Sequence, residues 1–232
     1  MQLQDFSGES AGRRTAIRLS LFVRAINMKK KIFLATHNEG KIQRFKNLLE
    51  HTGLNVEVCT PKDLGLENIE VQENGKTLAE NAEIKARAYF GKVDMPILAN
   101  DTGFLVEGEG FVDAPKRKAL GETDEKSLTK EEMARALLEF WKGVARRHGG
   151  KVDAAWLEAF VLLDTDGKIH TAESKREVIL IDQILGEAHI QMPMRALYIS
   201  KITNKPAIQH TKEEELLELK PVTDALFKVL TQ

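Results

Sequence analysis

The chain predicts a mixed α/β fold, a β-sheet flanked by helices. In its first half, short apolar runs alternate with amphipathic stretches, the pattern of strands followed by helices. Two capping boxes, at Thr77–Glu80 and Thr129–Glu132, mark helix starts. After residue 150 the pattern changes to strand pairs joined by tight turns, which favours a sheet that is not fully parallel.

In chain order, residues 1–27 read as a leader or mobile arm, with Arg13, Arg14, Arg18 and Arg24 interrupting the apolar part. A single domain is expected over 28–232. Lys31–Ala35 reads as a buried strand. Ile42, Phe45, Leu48 and Leu49 then recur at helical spacing. Asn55–Cys59 alternates as a strand, and Pro61–Asn74 reads as an acidic loop. Thr77 opens a helix running to about Phe90. Pro96–Ala99 is a short strand that is expected to end in Asn100-Asp101-Thr102-Gly103. Gly103–Gly121, with Gly108 and Gly110, reads as a loop or flap carrying Lys116-Arg117-Lys118. Thr129 opens a helix whose apolar face is Met133, Ala136, Leu137, Phe140 and Trp141. Gly143–Lys151 reads as a basic turn. Ala155–Leu163 and Lys168–Ser174 read as a hairpin across Asp164–Gly167. Val178–Ile181 and Arg195–Ile199 are further strand candidates. Val222, Ala225, Leu226, Val229 and Leu230 mark a C-terminal helix.

With 232 residues, 42% hydrophobic and 30% charged, the composition is that of an ordinary globular protein. A formal charge of −1 supplies no field for nucleic acid or an anionic membrane, so neither is expected as a partner. No apolar run approaches a membrane span. A single cysteine, Cys59, forbids an internal disulfide and fits a reducing cytoplasm. The six histidines show no ligand spacing. Trp141 and Trp156 are expected in the core.

Three polar clusters can carry chemistry. Thr36-His37-Asn38-Glu39-Gly40-Lys41 lies where a strand turns into a helix. There, unpaired N–H groups, the helix dipole and the Lys41 ammonium suit a phosphate. The spacing is not that of a P-loop. The second cluster pairs Glu73 with the following helix, where Asn81 and Lys85 share a face. The third is Asn100–Gly103, with Asp101 as a candidate metal ligand or, equally, a turn residue. Two carboxylates, Glu73 and Asp101, suit Mg²⁺, which keeps most of its waters and shares its shell with phosphates. Lys41 and Lys85 would take the remaining phosphate charge. Together they fit phosphoryl or nucleotidyl hydrolysis.

These residues carry a family resemblance. Ala35-Thr36-His37-Asn38-Glu39-Gly40-Lys41 is similar to A-T-x-N-x-x-K. Glu73–Arg87 is similar to E-x-G-x-T-F-x-E-N-A-x-x-K-A-R, and Leu98-Ala99-Asn100-Asp101-Thr102-Gly103-Phe104 to L-A-D-D-S-G-L. In order and spacing the chain resembles the inosine triphosphate pyrophosphatases over roughly residues 30–110. The resemblance implies an elongated mixed sheet with two lobes around a central cleft, and a homodimer. It implies hydrolysis of a nucleoside triphosphate, deaminated purines preferred, to the monophosphate and pyrophosphate. Thr36, Asn38, Lys41, Lys85, Thr102 and Arg117 would hold substrate. Glu73 and Asp101 would hold Mg²⁺, and Asp101 and Lys41 would be catalytic.

The departures concern the base. Asn100 replaces an aspartate. The aromatic base-stacking element has no counterpart near Met192–Tyr198. Glu215 stands where the late motif has lysine, and no Ser-His-Arg follows. The phosphate half of the site is kept and the base half is not, which implies an altered base preference. A non-catalytic nucleotide-binding module on this scaffold, or a hydrolase of another modified nucleotide, are the alternatives.

Overall fold

The computed structural model describes residues 30–112, 114–124 and 127–232, so the leader read over residues 1–27 lies outside the described residues. Seven strands form one sheet. They are β1 (Lys30–Leu34), β2 (Val56–Cys59), β3 (Ile97–Val106), β4 (Gly110–Val112), β5 (Lys151–Leu163), β6 (Ile169–Ile181) and β7 (Tyr198–Ser200). The order is β2-β1-β3-β5-β6-β7, with β4 added on β3. β1 is parallel to β2 and β3, and the later pairings are antiparallel. The flanking helices are α1 (Glu39–His51), α2 (Leu78–Arg87), α3 (Pro115–Leu120), α4 (Lys130–Arg147) and α5 (Lys212–Leu230). The expected mixed sheet with flanking helices is therefore the observed architecture.

Strand alternation sends successive side chains to opposite faces. Ile32, Leu34, Leu98, Phe160 and Leu162 face one way and meet Phe45, Leu48 and Leu49 of α1 and Val222, Leu226 and Val229 of α5. Phe33, Ile97, Ala99, Val161 and Leu163 face the other way and meet Ala82 and Ala86 of α2. The two helices that carry Lys41 and Lys85 thus cover opposite faces of the sheet. A third core, built on Phe104, Val106, Val178 and Leu180, is covered by Leu138, Trp141, Val144 and Ala145 of α4. Trp141 is buried as expected, and Trp156 packs against the same cluster while half-buried.

The structure corrects several element bounds. Asn100–Gly103 does not follow the strand but lies within β3, because β5 pairs with all of Ile97–Val106. Gly103 is needed there for close approach: a Cβ would stand 2.4 Å from Phe111 Cε2. The expected flap is instead the end of β3, a turn, β4 and the short α3. Gly108 in the turn and Gly110 at the start of β4 have φ of 79° and 85°, values that favour glycine. The β5–β6 hairpin is longer than the sequence suggests, and Val178–Ile181 is the end of β6 rather than a separate strand. Arg195–Ile199 begins as a 3₁₀ turn (Pro193–Leu197) and only then becomes β7.

On α4 the buried stripe is Leu138, Trp141, Val144 and Ala145. Met133, Ala136, Leu137 and Phe140 are only half-buried, and the helix runs on through the supposed basic turn to Arg147. The α5 helix starts at Lys212 under a complete Thr211–Glu214 capping box and continues through Pro221. Its first turn, Glu213-Glu214-Glu215, is acidic, which suits a helix N-terminus but hides the apolar period. Among the described residues, no helix is long and apolar enough to cross a membrane.

Candidate active site

β1 ends at Leu34, and the chain enters α1 through four residues. Asn38 is the N-cap: its Oδ1 accepts from Lys41 N at 3.0 Å, while its own N–H donates to Thr36 Oγ1 at 3.2 Å. His37 Nε2 lies 2.8 Å from Tyr89 Oη and 3.3 Å from Ile69 O, which ties this turn to the end of α2. Lys41, whose backbone N–H makes this cap, is half-buried in the first helical turn.

On the other face, Thr77 caps α2 by accepting from Glu80 N at 3.1 Å. The reciprocal half of the expected capping box is displaced by one residue, since Glu80 accepts from Lys76 N. Asn81 reaches back to accept from Gly75 N at 2.8 Å. A Cβ on Gly75 would stand 2.7 Å from that same Oδ1, so this loop closes on the helix only with glycine. The contact holds the Glu73–Lys76 segment against α2, and the Glu73 side chain meets Lys85.

Lys85 is the centre of the cluster. Its Nζ donates to Asp101 Oδ1 at 2.6 Å and to Asn100 O at 3.4 Å, and it pairs with Glu73 Oε2 at 2.8 Å. Two of the ammonium's three donors are thus used in hydrogen bonds, and Glu73 adds an ion pair. The side chains of Asp101 and Lys85 are 8% and 12% exposed, whereas that of Glu73 is 43% exposed, so the cluster runs from the interior to solvent. Lys41 joins it electrostatically. Burial lowers its pKa below the ordinary lysine value, and the nearby Lys85 ammonium lowers it further; Asp101 and Glu158 oppose both. Glu73, Lys85 and Asp101 are in contact, and Lys41, from a fourth segment, feels the charges of Lys85 and Asp101.

The other expected site residues fall as follows. Thr36 and Asn38 form the turn beside Lys41. Thr102 donates to Asn100 Oδ1 at 3.2 Å. Arg117 is exposed on α3, and among the described residues no hydrogen bond or ion pair joins its side chain to the cluster. Asn100 has a local reason to be an amide. Its buried Nδ2 donates to Asp101 O and Ala159 O, both at 3.1 Å. A carboxylate has no donor and would face two carbonyls. Asn100→Asp should therefore destabilise the fold by about 1–3 kcal/mol in urea unfolding at neutral pH.

Sequence reading missed four charged residues beside this site: Glu158, Arg176 and Glu218, which are buried, and Arg44, whose side chain is 26% exposed. Glu158 is 1% exposed in the middle of the apolar run Ala154–Leu163. A lone carboxylate in such a run was the available signal.

A model of the Ham1 family matches residues 32–190. The chain belongs to the Ham1 family. The resemblance read from the three motifs is thereby borne out. Over 77 residues this Ham1 chain is 44% identical to a dITP/XTP pyrophosphatase of Aquifex aeolicus, covering 33% of the chain and 35% of the relative. Over 109 residues it is 35% identical to a dITP/XTP pyrophosphatase of Frankia alni, covering 47% and 52%. The chain thus spans between about a third and a half of the length of the curated relatives it matches. In structure it is similar to the Ham1 protein of Staphylococcus aureus, with a TM-score of 0.65 at 21% identity, covering 87% of this chain and 98% of that one. The HAM1 protein of Coxiella burnetii gives the same TM-score at 19% identity, covering 87% and 98%. At these identities the structural likeness concerns the fold.

Proposed function

We propose that this Ham1 chain is a Mg²⁺-dependent nucleoside-triphosphate pyrophosphatase. In this reading it acts on non-canonical purine nucleotides, with an altered base preference. One observation carries the reading: Lys85 bridges Glu73 and Asp101, with Lys41 beside them at a helix N-terminus. The relatives named dITP/XTP pyrophosphatase support it.

The donor set fits Mg²⁺. Glu73 and Asp101 offer two hard oxygens around one ammonium, and among the described residues no group of three or more His, Cys, Asp or Glu could hold a metal. Two carboxylates suffice for an ion that completes its shell with water and phosphate. Bound there, Mg²⁺ would neutralise phosphate charge. Lys85, released from the carboxylates, and Lys41 then hold the triphosphate, with Thr36, Asn38 and Thr102 around it. Asp101 accepts a proton from the attacking water. Water oxygen bonds to the α-phosphorus, the bond to the bridging oxygen breaks, and pyrophosphate leaves. Arg117 would need to approach from α3.

The test is pyrophosphate release from a panel of triphosphates that includes inosine, deoxyinosine and xanthosine forms. Release is expected with Mg²⁺ and should stop on chelation. Folded protein that turns over no triphosphate would refute the reading. Binding without release would favour a non-catalytic module, and turnover of only some other modified nucleotide would favour the third alternative. A homodimer and a cytoplasmic location belong to the same proposal, and light scattering checks the first.

A further inference from the structure

A second set of charges lies beside the cluster. Arg44 is one turn beyond Lys41 on α1, so the two side chains share a helix face. Its guanidinium meets Glu158 of β5 at two points, Nη1 to Oε2 at 2.8 Å and Nη2 to Oε1 at 2.6 Å. Glu158 is buried and stands opposite Thr102 in the β3–β5 register. Arg176 of β6 holds it from behind, at 3.5 Å, and pairs with Glu218 of α5 at 2.9 Å. Tyr198 donates to the same Glu218 oxygen at 3.2 Å.

The fully buried apolar anchors of α1, Phe45, Leu48 and Leu49, all lie beyond Arg44, whereas Ile42 before it packs against the same core only partly buried. Its first turn has no fully buried residue of its own. Apolar contacts are non-directional, whereas a two-point guanidinium–carboxylate contact fixes orientation. The Arg44 fork is thus the first directional anchor after the turn that carries Lys41.

We infer that Glu158 is a positioning residue, which through its fork to Arg44 fixes the first turn of α1 and so holds Lys41 opposite Lys85 and Asp101 for a triphosphate. This inference rests on the triphosphate reading above. Glu158 itself touches no substrate. Its contribution is to keep Lys41 from drifting with the exposed start of α1, which matters because misplacement of a binding group by about 1 Å is costly.

The experiment compares wild type with Arg44→Gln/Glu158→Gln, which removes the fork without stranding a charge, and with Arg44→Lys, which keeps the charge and loses the fork. Should the double variant fail to fold, Arg44→Lys carries the test, because Glu158 keeps Arg176. Three readouts are taken: amide exchange over residues 39–44, calorimetric binding of inorganic tripolyphosphate, and KM and kcat for a triphosphate. In the double variant, exchange over 39–44 should speed relative to β3 and β5, tripolyphosphate binding should weaken about tenfold, and KM should rise more than kcat falls. Arg44→Lys should fall between the two. Exchange and tripolyphosphate affinity within about twofold of wild type would overturn the inference, and so would a loss of protection spread evenly over the sheet, which marks a general stability role. If wild type releases no pyrophosphate but the exchange over 39–44 responds, the clamp stands and the activity proposed above falls.

Discussion

Asp101→Asn should lower pyrophosphate release by about 10²–10⁴-fold, the range lost when a positioned general base is removed. The substitution keeps size and shape, and under the proposed mechanism it removes the proton acceptor and the charge of one of the two carboxylates that would hold the metal. It also leaves Lys85, whose side chain is 12% exposed, with Glu73 as its only carboxylate partner. Glu73 is more exposed and held less firmly, so Lys85 should lean toward solvent. Folding should change little, because Asn keeps an oxygen that accepts from Lys85 at the present 2.6 Å contact. The decisive pair of measurements is turnover at saturating Mg²⁺ and the thermal midpoint. A loss of turnover with an unchanged midpoint assigns the effect to chemistry. Turnover within about threefold of wild type would show that proton acceptance lies elsewhere.

How far the sequence discloses this site depends on the range of the interactions involved. The Asn38 cap, the Thr77 cap and the shared face of Asn81 and Lys85 are local, set within four residues, and they are legible without coordinates. Glu73, Lys85 and Asp101 are recognisable as a set only through motif order, because nothing local says that a loop, a helix and a strand converge. The β3 overrun is illegible for the same reason. Asn100-Asp101-Thr102-Gly103 has the composition of a turn, and only pairing with residues 154–163 makes it strand. The polar network escaped because Glu158 sits alone in an apolar strand, Arg176 lies among the charged residues Lys175 and Glu177 between two stretches read as separate strands, and Arg44 and Glu218 lie on helices. The two halves of each contact lie between 18 and 114 residues apart, beyond the reach of any periodicity.

Arg176→Met should cost about 3–5 kcal/mol of folding stability, the range for removing one partner of a buried ion pair. Glu158 would keep Arg44, but Glu218 would lose its cation at 2.9 Å while staying 1% exposed. Its remaining neighbours are the Tyr198 hydroxyl and His210, whose Nδ1 lies 3.2 Å away without hydrogen-bond alignment. Arg176→Met/Glu218→Met should recover most of the loss, because replacing both partners leaves no uncompensated charge.

The same network sets an acid limit. Burial pushes the Glu158 pKa up, but Arg44, Arg176 and Lys41 outweigh it and bring it from 4.5 down to about 2. A carboxylate depressed in the folded state contributes stability that is fully present above its unfolded pKa. It is lost as pH falls through the folded one, so this share should fade between 4.5 and about 2. The depression corresponds to roughly 3 kcal/mol at neutral pH. Urea midpoints measured from pH 6 to pH 2.5 should fall for wild type and fall less for Arg44→Gln/Glu158→Gln. Parallel curves for the two proteins would mean that acid sensitivity arises from other carboxylates.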